Sequence, residues 1–175
     1  MTDPSPVVLR PATPDDVPAL VALNDAAHPA VPITSEAEMA ALLAGAELPV
    51  VAVDPERPDV PLAMILAFGP GADYASENYA WFESRGYDHL YVDRIVVGEG
   101  SRDRGLGRLL YAHVFSAARL TQRAVVTCEV NLDPPNPGSL RFHTRLGFAA
   151  QGEQATKGGS VRVVMLSAPA TTTIS

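Results

Sequence analysis

Apolar residues gather in short runs separated by proline, glycine and charge, and their spacing alternates between that of strands and that of helices. Residues 7–12 read as a first strand. Thr13-Pro14-Asp15-Asp16 then supplies a hydroxyl cap, a proline in the first turn and acids at the positive helix end, so a helix is expected over residues 14–27. Val17, Leu20, Val21 and Leu23 keep helical spacing, and His28-Pro29 ends it. Thr34-Ser35-Glu36 caps a second helix carrying Met39, Leu42 and Leu43. Residues 49–53 and 62–68 are short apolar runs on either side of a proline-rich polar turn at 54–59, the pattern of a hairpin.

Residues 69–89 differ: Tyr74, Tyr79, Trp81, Phe82 and Tyr87 lie among acids and asparagine, in a connection long enough to be functional or a lid. Residues 90–97 form a fourth strand, 107–121 a helix and 124–130 a fifth strand; a strand, crossover helix and strand imply parallel pairing. A short helix at 139–146 ends at Gly147, and two last strands, 148–156 and 161–167, flank a turn at 157–160. Residues 1–168 thus read as one mixed α/β (α+β) domain and 169–175 as a flexible tail.

Composition narrows the classes. A chain of 175 residues with 47% hydrophobic and 19% charged residues suits one globular domain, and no apolar run approaches the length of a membrane span. The N-terminus lacks a basic stretch followed by an apolar one, so a cytoplasmic location is expected. A net charge of −7 disfavours nucleic acid as a partner. Cys128 stands alone in an apolar run and reads as a buried small hydrophobe; no cysteine cluster for a metal exists.

The first chemical signal is Arg102-Asp103-Arg104-Gly105-Leu106-Gly107, after a buried strand and at the opening of a helix. There, free backbone N–H groups favour an anion, glycines let a phosphate come close, and Arg102, Arg104 and Arg108 add charge. A plain strand-to-helix turn with solvated arginines is the alternative. The Walker pattern is excluded because no Gly-Lys-Ser/Thr occurs, and the dinucleotide fingerprint because Leu110 stands where a third glycine belongs.

Arg102-x-x-Gly105-x-Gly107 after Ile95-Val96-Val97 resembles the coenzyme A pyrophosphate loop of the GNAT acetyltransferase superfamily. The stretch from Asn136 through Ser139, Phe142 and His143 to Gly147-Phe148 is similar to that superfamily's closing motif, with His143 where tyrosine is usual. Residues 131–137 further resemble an uncharacterised bacterial branch with histidine at that position. The resemblance covers about residues 7–166. It implies a mostly antiparallel sheet of six to seven strands, strands four and five parallel and splayed, with helices on both faces. It also implies acetyl-CoA as co-substrate, its pantetheine along Ile95, Val96 and Val97 and its pyrophosphate on the amides from Arg102 through Asp103, Arg104, Gly105 and Leu106 to Gly107. Asn131, Asn136 and Ser139 match positions that touch the coenzyme, the asparagines also reading as turn residues, and the Val97 N–H is expected to meet the acetyl oxygen.

Acetyl transfer to an amine needs a neutral nucleophile, and an alkylamine near pKa 10.4 is almost wholly protonated at neutral pH. Asp93, on the same strand face as Ile95, is the expected proton acceptor, with an ion pair to Arg94 as its other reading; Glu129 is a weaker candidate. By the resemblance His143 lies near the sulfur, where an imidazolium would return a proton, or else it packs or contacts the coenzyme. Tyr79, Trp81 and Glu83 are expected to line an acceptor pocket, unless the aromatics only cover a sheet edge. The implied function is N-acetylation of a small amine, an amino acid or a peptide N-terminus by direct attack, without a metal, in a monomer or homodimer. A silent acyl-CoA-binding regulatory module is the alternative, and an unrelated nucleotide-binding α/β protein a more distant one.

Overall fold

Thr13 and Asp16 set the entry to the first helix. The Asp16 carboxylate accepts from the Thr13 backbone N–H at 2.8 Å and from its hydroxyl at 3.2 Å, and Arg10 donates to both its oxygens at 2.7 and 2.8 Å. Arg10 thereby holds the buried Asp16 carboxyl below the usual carboxylate range. The computed structural model describes residues 6–174. Residues 14–16 form a 3₁₀ turn, and α1 follows at Val17–Asp25. This is shorter than the helix expected over 14–27, because Pro18 has no N–H to bond back to Pro14 and the first turn stays tight. Helix α2, Glu36–Gly45, opens with a reciprocal cap: Ser35 Oγ accepts from the Glu38 N–H at 3.2 Å, and the Glu38 carboxylate accepts from the Ser35 N–H at 2.8 Å.

Seven strands build one mixed sheet: β1 Val8–Pro11, β2 Leu48–Asp54, β3 Arg57–Phe68, β4 His89–Val97, β5 Val125–Asp133, β6 Ala149–Thr156 and β7 Val161–Pro169. They lie in the order β1-β2-β3-β4-β5-β7-β6, with β4 and β5 parallel and the remaining neighbours antiparallel. Besides α1 and α2, the described residues form α3 Glu77–Glu83, α4 Leu106–Leu120 and α5 Pro137–Arg145. Contacts divide the chain into two compact units, Met1–Ala67 with Arg94–Tyr111, and Phe68–Asp93 with Ala112–Ser175.

The first unit is built on a core of Val17 and Leu20 from α1, Met39 from α2, Val51 and Val53 from β2, Met64 and Leu66 from β3, and Val96 from β4. The polar turn expected over 54–59 is reduced to Pro55 and Glu56: Asp54 pairs with Arg57, and its Oδ1 accepts from the Glu56 N–H at 2.9 Å. That Asx-type bond closes the hairpin early, so β3 begins in exposed polar residues that composition marks as loop.

In the second unit β5 and β6 both pair antiparallel with β7, and a register shift lies between Ala150 and Gly152. A Cβ on Gly152 would come within 2.8 Å of the Trp81 indole, so glycine is needed for the ring to pack there. Strand β7 runs to Pro169, past the strand end expected at 167. Ala170 is buried, its N–H donating to the Ala124 carbonyl at 2.9 Å and its carbonyl accepting from Arg119 at 3.1 Å. Ser175 lies outside the described residues.

Because Trp81 is the chain's one tryptophan, its seat is readable by fluorescence. Gly152→Val is expected to push the indole out, shift its emission to longer wavelength and cost about 1–3 kcal/mol of stability, as overpacking does. An unchanged spectrum and melting temperature would show that Trp81 does not rest on Gly152.

Candidate functional site

Strand β4 alternates in burial from Val92 on: Arg94 and Val96 are buried, while Asp93, Ile95 and Val97 are half-buried on the other face. The Arg94 guanidinium donates to Asn24 Oδ1 and Thr34 Oγ1, both at 3.0 Å.

In the first unit, β4 ends at Gly98, whose N–H donates to the Leu62 carbonyl at 2.9 Å. A 3₁₀ turn, Glu99–Ser101, leads into the glycine segment. Asp103 and Gly105 both take positive φ, 63° and 73°, which turns the chain so that α4 starts at Leu106. Nothing lies within 4 Å of the point where a Gly105 side chain would stand. Leu106 is buried and anchors the helix start; Gly107 is half-buried; Arg102, Asp103, Arg104 and Arg108 are exposed. An open backbone at the start of a 15-residue helix with three arginines around it fits a diphosphate: helix N–H groups at the positive end of the dipole, and open space where a Gly105 side chain would stand.

In the second unit, registered pairing of β4 with β5 joins His89, Leu90 and Tyr91 to Val125, Val126 and Thr127. Val92 and Asp93 lie beyond the last pair, while β5 runs on to Asp133. The Tyr74 hydroxyl donates to Asp93 Oδ1. Next to it on the same strand face, the buried Tyr91 hydroxyl donates to Glu129 Oε2 at 2.9 Å. Burial, and then the Glu129 and Asp93 charges, hold the Tyr91 phenol well above its ordinary pKa, so it remains a donor.

Two of the three residues expected to contact an acceptor have internal partners. Tyr79 is buried; its hydroxyl donates to the Gly69 carbonyl at 2.7 Å and accepts from the Ala72 N–H at 2.9 Å. Glu83 accepts from the Gly71 N–H at 2.9 Å through Oε2, while its Oε1 lies 2.8 Å from His89 Nε2. The ring's Nδ1 lies 2.7 Å from Thr127 Oγ1. Burial pushes the His89 pKa down against the upward pull of Glu83. Trp81 is half-buried beneath the Arg85 guanidinium, 3.8 Å from the ring centroid, and lines a groove of about 700 Å³ with Tyr87 and Gln151. Much of the aromatic set serves packing because α3 runs through this connection. Its signal was in the sequence: Ser76 ahead of Glu77, with the Ser76 hydroxyl accepting from the Tyr79 N–H at 3.2 Å.

The closing motif is used to build α5. Asn136 is the N-cap, its Oδ1 accepting from the Ser139 N–H at 3.2 Å, and the half-buried Asn131 accepts the Asn136 N–H at 3.1 Å through its carbonyl. His143 is buried, with Nδ1 2.8 Å from the Ser139 carbonyl and 3.3 Å from its hydroxyl. A carbonyl only accepts, so Nδ1 carries the hydrogen. Burial pushes the His143 pKa below its ordinary value, with the Ser139 bond opposing, which favours the neutral ring. The sequence leads one to expect a pKa raised beside Asp93; desolvation moves it the other way. Among the described residues no group of three or more His, Cys, Asp or Glu is placed to hold a metal, and no helix is long and apolar enough to cross a membrane.

A family model described as acetyltransferase (GNAT) family matches residues 23–148. No curated protein matches the chain. Among solved structures it is similar to the ribosomal-protein-S18-alanine N-acetyltransferase from Escherichia coli, with a TM-score of 0.70 and 16% identity over 97% of this chain and 96% of that one. The NatC complex bound to Gag peptide and CoA gives 0.72 and 17% over 93% and 98%. Arabidopsis thaliana NAA60 in complex with a bisubstrate analogue gives 0.73 and 17% over 94% and 98%.

Acetyl-CoA at about 100 times its dissociation constant is expected to stabilise the protein by about 2.7 kcal/mol. Replacing Gly105 and Gly107 together by valine is expected to abolish the resulting rise in melting temperature. A double variant with the full shift would remove the phosphates from this turn.

Proposed function

Because the chain belongs to the acetyltransferase (GNAT) family, its model covering residues 23–148, we propose that it moves an acetyl group from acetyl-CoA to a primary amine that attacks the thioester directly. The observation that carries this is the glycine turn: positive φ at Gly105, open space above it and arginines around the start of α4. Arg102, Arg104 and Arg108, with the amides from Asp103 to Gly107, would hold the pyrophosphate; Ile95, Val96 and Val97 would offer their backbone to the pantetheine. When bound, the coenzyme supplies an acetyl group activated as a thioester.

The chain's own residues supply the rest. Asp93 takes the amine's proton, making the nitrogen a nucleophile; Tyr74 holds that carboxylate. Asn136 and Ser139 act through the cap of α5. His143, neutral and bonded to Ser139, fixes that helix, so the sulfur takes its proton from another source, solvent included. The acceptor is a small amine, an amino acid or a peptide N-terminus. The NatC neighbour, bound to a peptide and CoA, and the Escherichia coli neighbour, whose name states alanine acetylation, support the last. Of the three residues expected at the acceptor, Trp81 keeps that role, beside its groove. The protein works in the cytoplasm, as a monomer or homodimer.

The test is release of free thiol from acetyl-CoA in the presence of spermidine, L-lysine, phenethylamine or an alanine-initiated tetrapeptide. Release that depends on one of these amines is expected. Binding of acetyl-CoA with no release for any of them would favour the silent acyl-CoA-binding module instead.

The state of His143 is read from pH dependence. A histidine whose pKa is lowered is protonated only below its ordinary value of about 6.5, so an imidazolium acid would make the rate fade already as pH rises through that region. The expected result is the opposite: the rate climbs from pH 6 to 8 as the amine loses its proton, with the same slope in wild type and His143→Phe. A fading limb in wild type that vanishes in the variant would restore the imidazolium role.

A further inference from the structure

Residues 69–76, between β3 and α3, carry more internal bonds than a surface connection needs. The Tyr79 hydroxyl ties the Gly69 carbonyl and the Ala72 N–H, and Glu83, itself held by the buried His89, ties the Gly71 N–H. The Tyr74 N–H donates to the Ala72 carbonyl at 2.9 Å, and the Tyr74 carbonyl accepts the Ser76 N–H at 3.1 Å. The Tyr74 ring lies parallel to that of Phe68, at the end of β3, with centroids 4.1 Å apart and planes 5° from parallel; Tyr79 flanks the stacked pair, 5.7 Å from Tyr74 and 6.5 Å from Phe68. Backbone, ring plane and neighbouring rings are therefore all set, and the phenol that this strap presents ends on Asp93.

We propose that Tyr74 is a positioning residue for acetyl transfer: its hydroxyl orients the Asp93 carboxylate to receive the amine's proton, and the strap of residues 69–76 exists to hold it there. This rests on the reading in which Asp93 is that proton acceptor. In the step it serves, an N–H bond of the amine breaks and an O–H bond forms on Asp93, the electron pair remaining on nitrogen for its bond to the acetyl carbon. A carboxylate turns freely about its last bond unless something holds it, and a proton acceptor works only at hydrogen-bond reach and in line. An orienting third group is the usual remedy. Stacking on Phe68 sets the plane of the Tyr74 ring but not the direction of its axis within that plane, and it is that direction which brings the hydroxyl to Asp93.

Tyr74→Phe keeps the stack and removes only the O–H. With the full chain, acetyl-CoA and whichever of the four named amines wild type consumes fastest, kcat is expected to fall about 10-fold, at the low end of what a positioned acid or base contributes. The melting temperature should fall only slightly, as loss of one part-buried hydrogen bond implies, and its shift with acetyl-CoA should stay as in wild type. Asp93→Asn should lose more, and adding Tyr74→Phe to it should change nothing further, because two residues acting as a unit do not lose activity independently. Wild-type kcat in Tyr74→Phe alongside a depleted Asp93→Asn would overturn the role of Tyr74 and leave Asp93 in place, as would losses that multiply in the double variant. An Asp93→Asn variant with full kcat, or a wild type that releases thiol with none of the four amines, would remove the reading beneath it and Tyr74's role with it.

Discussion

A strand gives alternate side chains to opposite faces, and β4 depends on that constraint along its length. Val96 enters the core with Val17, Leu20 and Met39, and Arg94 goes to the same face, where Asn24 and Thr34 receive its guanidinium. Asp93, Ile95 and Val97 keep the other face. A one-residue slip would bury the carboxylate among apolar side chains and release the arginine, two errors at once, so the register is strongly held. The chain between α1 and α2 is drawn into the same arrangement: Asn24 donates to the Pro32 carbonyl at 2.8 Å, and the Thr34 N–H donates to Asp25 at 3.0 Å. The half-exposed positions left on β4 are those to which the proposed function gives the donor arm and the proton acceptor.

The second unit buries polar groups in pairs. His89 lies between Glu83 and Thr127, Tyr91 against Glu129, and Tyr79 between a carbonyl and an N–H. Each bond replaces one lost to water, and an unpaired member would cost more than the pair contributes. The loop-and-helix segment from Gly69 to His89 is consequently stiff where its composition suggests a lid. Buried histidines behave accordingly. Both His89 and His143 have lowered pKa values, so the unfolded chain takes protons that the folded one refuses; their contribution to stability is present above about pH 6.5 and is lost as pH falls through the folded values.

The donor side follows from local chemistry alone. Gly105 at positive φ turns the chain, the empty space above it would let a phosphate reach the amides, and the start of α4 would orient them, as proposed. The proposed acceptor side draws on non-local partners: Asp93 and Tyr74 are separated by 19 positions, Tyr91 and Glu129 by 38.

The sequence by itself determined the sheet, the helices around it, the parallel pairing of β4 with β5, the family and the glycine turn. These rest on periodicity, caps and residues adjacent in the chain, which a linear reading can see. The helix within 69–89, the early close of the β2–β3 hairpin and the run of β7 into Pro169 were missed, because each depends on a bond or a packed face that composition does not record: Ser76 to Tyr79, Asp54 to Glu56, Ala170 to Ala124. Only the tertiary structure decided which hydrogen bonds Tyr79, Glu83 and His143 make. Whether a phenol, a carboxylate or an imidazole is chemically available depends on burial and on the partner that first takes its hydrogen bond, and both are set by residues brought close only by folding.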